Sequence, residues 1–153
     1  MWKKSVVLLF IFNLILLSAG WIMTVYTYPK LPQKMPLWLN FFGQQPIIME
    51  KSLLFFIYPL AQTLFFMFFL IVSRRMSSKN VIPWKANILK EYIYLTLIFF
   101  NLIFIHLQRS LILLARQIEE GVDKFYFYSL FGIIFLLIPY YRLRLKIFVK
   151  KRE

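Results

Sequence analysis

The chain has 153 residues, 61% of them hydrophobic and 18 of them Phe, more apolar material than a soluble domain of this size can hide. Its formal net charge of +13 is not a nucleic-acid signature, because Lys and Arg stand at the ends of apolar runs and no nucleic-acid motif accompanies them. The lack of cysteine excludes disulfides, Cys-ligated zinc and a thiol nucleophile.

Four apolar runs organise the sequence. Ser5 to Tyr28 is 24 residues without a charge, and Ser52 to Ser73 is 22. Tyr92 to Gln108 and Phe125 to Tyr141 are 17 each, and the third run continues past Arg109 to Ala115. About 20 helical residues cross a hydrocarbon core of about 30 Å. The first two runs are comfortable spans, and the last two need basic and aromatic flanks to reach the interface. Helix is the expected state, since backbone N–H and C=O groups in lipid need partners within the segment. The expected fold is therefore all-α: one membrane domain over residues 1–153, with spans at about 5–28, 52–73, 91–115 and 125–143. A Leu-Ser-Ala-Gly stretch at 17–20 resembles a signal-peptide end, but Leu17 is large and the apolar run continues to Tyr28, so a retained span is expected.

Lys and Arg give the orientation. If the connections alternate sides, thirteen lie with the two termini and the 74–90 link, five lie on the other face, and Arg109 stays in or near the third span. The richer side is expected to be cytoplasmic, with both termini inside and the segments 29–51 and 116–124 outside.

The outer loop 29–51 carries Pro29, Pro32 and Pro36, which forbid a continuous helix. Asn40 and Gly43 are turn formers, and Trp38, Leu39, Phe41 and Phe42 are too apolar for a hydrated loop. A compact Pro-rich segment at the outer interface is expected, either a rigid cap or a recognition surface. In this stretch Leu31-Pro32, Pro36, Asn40, Gly43, Lys51 and Pro59 stand in the order of a known module. The chain here resembles the domain of unknown function 1648 family, the module at the amino end of SdpI-type membrane immunity proteins. The resemblance covers about residues 5 to 70. It implies a bacterial cytoplasmic (inner) membrane protein and allows an immunity or signalling role. Trp38 stands where the family has His, so chemistry that needs that His is not implied.

Catalytic chemistry has little to stand on. There is one His, His106, and six acids, most at span ends. No HExxH, P-loop or GxSxG pattern occurs, so neither an enzyme nor a metal or other cofactor is expected. The third run is the most polar, with Asn101, His106, Gln108, Arg109 and Arg116. On a helix Asn101 and Gln108 share a face, and His106 lies three residues before Arg109. This side is expected to face the bundle, either as a packing seam with Arg109 reaching outward or as an outward-opening pocket lined by His106 and Arg109. Glu50, Glu119 or Glu120 is the expected counter-charge of Arg109. Pro59 is expected to bend the second span, and Gly20 to allow close helix approach.

The candidate ligand or partner surface is thus Pro32, Pro36, Trp38, Asn40, Gly43, His106 and Arg109. The expected partners are the lipid bilayer and a peptide or a second membrane protein, not nucleic acid. Three function classes fit: immunity to or sensing of an outer-face peptide, a small transporter or channel subunit, and a structural or assembly subunit of a membrane complex.

Overall fold

The protein was analysed as a computed structural model, which describes residues 4–36, 47–76, 82–118 and 122–150. The fold is mostly helical. Helix α1 (Lys4–Thr27) leads through a 3-10 turn (Tyr28–Lys30) into strand β1 (Lys34–Pro36). Strand β2 (Ile48–Glu50) returns through a second 3-10 turn (Leu53–Phe56) into α2 (Ile57–Arg75). Helices α3 (Pro83–Ala115) and α4 (Lys124–Lys150) follow. Three helical stretches, Lys4–Lys30, Leu53–Arg75 and Pro83–Ala115, are long and apolar enough to cross a membrane. The fourth apolar run lies within α4, which has 27 residues and includes Pro139.

The boundaries differ from the sequence expectation in instructive ways. Helix α3 begins eight residues before Glu91, because Pro83 sits at its first turn, where a missing N–H costs nothing and the ring presets the backbone. Pro59 lies in the first turn of α2, where its missing N–H removes no bond of that helix, and the stretch passes from 3-10 to α just before it. The largest difference is the two-stranded antiparallel ribbon of β1 and β2, which a purely α-helical reading does not contain. Its register pairs Lys34 with Glu50, Met35 with Met49 and Pro36 with Ile48. The prolines explain it. A residue before proline is driven to extended backbone, and both Leu31 and Met35 precede one. Leu31 has φ −81° and ψ 149°. The register also sets Lys34 and Glu50, of opposite charge, across from one another.

Helix α3 is the centre of the bundle. It packs against α1, α2, α4 and β1. Its most apolar stretch is 44% buried, against 17% and 22% for those of the first two helical stretches. The reason is polar. Asn13 on α1, Gln62 on α2 and Asn101 on α3 are each almost fully buried, and their amides form a chain. Asn101 Nδ2 donates to Asn13 Oδ1 at 2.8 Å, and Gln62 Nε2 donates to Asn101 Oδ1 at 3.0 Å. Asn13 Nδ2 then donates to the Tyr94 carbonyl at 2.9 Å and to its own helix at Leu9. Gln62 also reaches the Leu16 carbonyl at 3.3 Å. Gly20 makes room for this: a Cβ there would collide with Gln62 Oε1. The close approach expected at Gly20 is therefore one of α1 to a side chain of α2.

At the end of the bundle that holds Lys4 and the α4 C-terminus, Glu91 of α3 is a second tie. It accepts a hydrogen bond from Ser5 Oγ of α1 and pairs with Arg144 of α4, 2.8 Å from Nη1. Ser73 Oγ donates to Tyr94 Oη at 3.0 Å, joining α2 to α3 nearby.

Asn101→Leu leaves the amides of Asn13 and Gln62 short of partners, and the expected loss is about 1–3 kcal/mol. A lower thermal midpoint of the purified protein in detergent reads it. Gly20→Ala acts by displacing Gln62, so it costs less in the Asn101→Leu background than in the native chain. Strictly additive losses would show that Gly20 serves something other than the amide chain.

Candidate functional site

The ribbon end of the bundle is built by a clasp. The Lys51 ammonium donates to the carbonyls of Pro29 at 3.1 Å and Leu31 at 3.3 Å. Its backbone N–H donates to the Gln33 carbonyl at 2.7 Å. Nζ also stands 4.9 Å from the Tyr28 ring centroid, in cation–π range. One side chain thus closes the base of the loop and caps carbonyls left without helical partners. Tyr28 in turn packs on Phe55 and Phe56, and Trp21 packs on Phe56 while donating to Thr63 Oγ1 at 2.9 Å. Leu31 and Met35 are buried in the cluster formed with Phe55, Ile103, Leu107 and Leu111, which seats β1 on α3.

Helix α3 ends beside this cap in a Schellman motif. The Gln117 N–H donates to the Leu114 carbonyl and the Ile118 N–H to the Leu113 carbonyl. Gln117 takes the left-handed conformation, φ 59°, that glycine usually fills. The motif stops the helix sharply and turns the chain toward α4.

Between α3 and the start of α4 lies an open pocket of about 410 Å³. Leu102, Ile105, His106 and Arg109 line it from α3, at the 3-and-4 spacing of one helix face. Asp123 and Tyr126 line it from the other side. The His106 ring is mostly buried and stacks on Tyr126, with centroids 4.6 Å apart and planes tilted by 54°. Asp123 Oδ1 accepts the Tyr126 N–H at 3.1 Å, which caps α4 and fixes the carboxylate at the pocket edge. Arg109 is exposed, and among the described residues it forms no ion pair with Asp123. The pocket thus presents a guanidinium, a carboxylate, an imidazole and a phenol over an apolar wall. Such a lining suits an amphipathic ligand with polar groups of both signs.

The residues expected from sequence distribute over three places. His106 and Arg109 share the pocket just described. Pro36 is buried in β1, and Pro32 lines a separate groove with Lys30, Arg116 and Gln117. Trp38, Asn40 and Gly43 lie outside the described residues, as do Glu119 and Glu120. Among the described residues the carboxylate that lines the pocket with Arg109 is Asp123; Glu50 is in the exposed strand β2. The polar face of α3 also divides. Asn101 belongs to the amide chain, whereas Gln108 is buried and neither of its amide atoms is hydrogen-bonded among the described residues. Among the described residues no three His, Cys, Asp or Glu side chains form a group that could hold a metal ion.

Sequence reasoning did not find Asp123 and Tyr126 as pocket residues, nor Asn13 as part of the amide chain. Asn13 had a usable signal. Asn13, Gln62 and Asn101 are amides well inside three different apolar runs, and amides in lipid seek one another. Asp123 had a weaker one, its place as an acid just before a helix start. Comparison with family models, curated proteins and solved structures gives no match for the chain.

Replacing Lys51 by Met keeps the apolar stem and removes the three donors. The expected result is faster amide exchange at Leu31 to Met35, by about tenfold, as the clasp contributes about 1–2 kcal/mol. Unchanged exchange there would show that the aromatic cluster alone holds the loop.

Proposed function

We propose that this chain is a four-span protein of a bacterial cytoplasmic membrane that binds a peptide at its outer face, for immunity or sensing. In this reading α4 is the fourth crossing, both termini are cytoplasmic, and the ribbon caps the outer end. The charge distribution supports that placement, since thirteen Lys and Arg fall on the terminal side and five on the ribbon side. The helix ends support it too: Ser5 and Arg144 meet the same carboxylate, Glu91, so the N-terminal end of α1 and the C-terminal part of α4 share a side.

The observation that carries the binding role is the pocket of His106, Arg109, Asp123 and Tyr126 beside the clasped cap. It offers a peptide an apolar wall, an aromatic ring and two opposite charges that do not neutralise each other. The resemblance of the Leu31-Pro32 to Pro59 stretch to the module of immunity proteins gives the ligand class. A binder rather than an enzyme fits a chain whose acids are scattered and which has a single His. A transport role is less well supported, because the mid-span polar groups Asn13, Gln62 and Asn101 are neutral amides engaged with one another, which favours fixed packing over ion passage.

Placement is tested by single cysteines in the cysteine-free chain. Those at Gln33 and Gln117 label from outside, and those at Ser78 and Glu153 do not. External labelling of Ser78 overturns the orientation.

Function is tested by deletion and re-expression in the native host, scoring survival against secreted antimicrobial peptides. Native protein restores survival. Arg109→Ala and Asp123→Asn each weaken protection by about tenfold, the size of one charged contact at a binding surface. Unchanged survival on deletion, with a membrane protein recovered at equal stoichiometry, overturns the peptide reading in favour of an assembly role.

A further inference from the structure

A second groove, of about 430 Å³, lies at the ribbon end and is distinct from the His106 pocket. Its walls come from two stretches far apart in sequence: Lys30 and Pro32 just after α1, and Arg116 and Gln117 just after α3. Buried Leu31 and Ala115 form its apolar floor.

Among the described residues the lining carries two cations and no carboxylate. The Lys30 ammonium is held 3.6 Å above the centroid of the Tyr26 ring, a neutral partner that positions the charge without cancelling it. Arg116 has its backbone N–H committed to the Ile112 carbonyl, and Gln117 and Ile118 have theirs committed to the Schellman motif. The groups left to meet a ligand are therefore the Lys30 ammonium, the Arg116 guanidinium and the Gln117 amide. The C-terminus of α3 contributes about half a negative charge, which two full cations outweigh.

We propose that this groove binds a phosphate group. A planar guanidinium and an ammonium carried by the residues of one groove suit its several charged oxygens. Depth points to where the phosphate comes from. Lys30 and Arg116 each stand within two residues of the end of an apolar run, the first ending at Tyr28 and the other at Ala115. Tyr26 beside them is exposed, as expected of an aromatic at the membrane interface. The groove then stands at headgroup level, where a phospholipid presents its phosphate while its acyl chains lie along the exposed apolar faces of the helices. Free inorganic phosphate offers the same oxygens, and the experiment separates the two.

The test uses the full chain purified in mild detergent with phosphatidylglycerol added, with lipid retention read by native mass spectrometry. The double variant Lys30→Gln and Arg116→Gln is expected to retain lipid about tenfold less well. Two comparisons keep the result specific. Arg74→Gln with Arg75→Gln removes the same charge at the other end of α2 and leaves retention unchanged. Lys30→Arg with Arg116→Lys keeps the charge and most of the retention, and the thermal midpoint of each variant reports its folding. Equal losses from the two charge-removing pairs overturn the proposal in favour of general electrostatics. In the second arm, inorganic phosphate is added to native protein without lipid. Stabilisation by phosphate that the groove variant abolishes, with no lipid retained, assigns the site to the free ion. No response to either probe overturns the site.

Discussion

A carboxamide in a hydrocarbon core is costly without a partner, and in this protein three of them find one another. Asn13, Gln62 and Asn101 bring α1, α2 and α3 into a single register along the bundle axis. Apolar packing alone does not set that register, because lipid tails solvate Leu and Phe on any face equally well. The amide chain fixes which face of each helix turns inward, and Gly20 exists in the space it demands. Once α3 is set in the middle, its upper face presents His106 and Arg109 to α4, and its end presents Arg116 to the loop that follows α1.

The two ends of the bundle are closed by different chemistry. At one end the Glu91 carboxylate links α1 to α4 through Ser5 and Arg144. At the other, the Lys51 ammonium binds carbonyls that the ending helix leaves open, and a proline-driven ribbon covers α3 through Met35. Both ties place a charge where it is satisfied by more than one group, which is what a charge near lipid requires. The clasp also gives Lys51 a physical task that its position in the family-like pattern does not disclose: it holds the Leu31-Pro32 turn by its main chain rather than by its side chains.

Much of the third helix was legible as a polar helix that must face protein, and the pocket at His106 and Arg109 follows that reading. The rest of the pocket was not legible, because Asp123 and Tyr126 reach it only through the turn that Gln117 makes possible. A non-glycine residue in a left-handed conformation is a poor sequence signal for a helix stop. The ribbon was hidden for a related reason. Three-residue strands carry too little periodicity to be read, and prolines advertise where a helix ends better than what replaces it.

The sequence by itself determined where the chain has helices long and apolar enough to cross a membrane, and that the third is the most polar of them. Those properties are local: they follow from hydrophobic length, charge at run ends and the cost of polar groups in lipid. Only the tertiary structure decided which amides meet, which carboxylate lines the pocket with Arg109, and that Lys51 clasps the loop. Each of those joins groups tens of residues apart in sequence, and their meeting depends on how helices rotate about their own axes. That rotation is settled by the buried amide chain, and no single apolar run contains it.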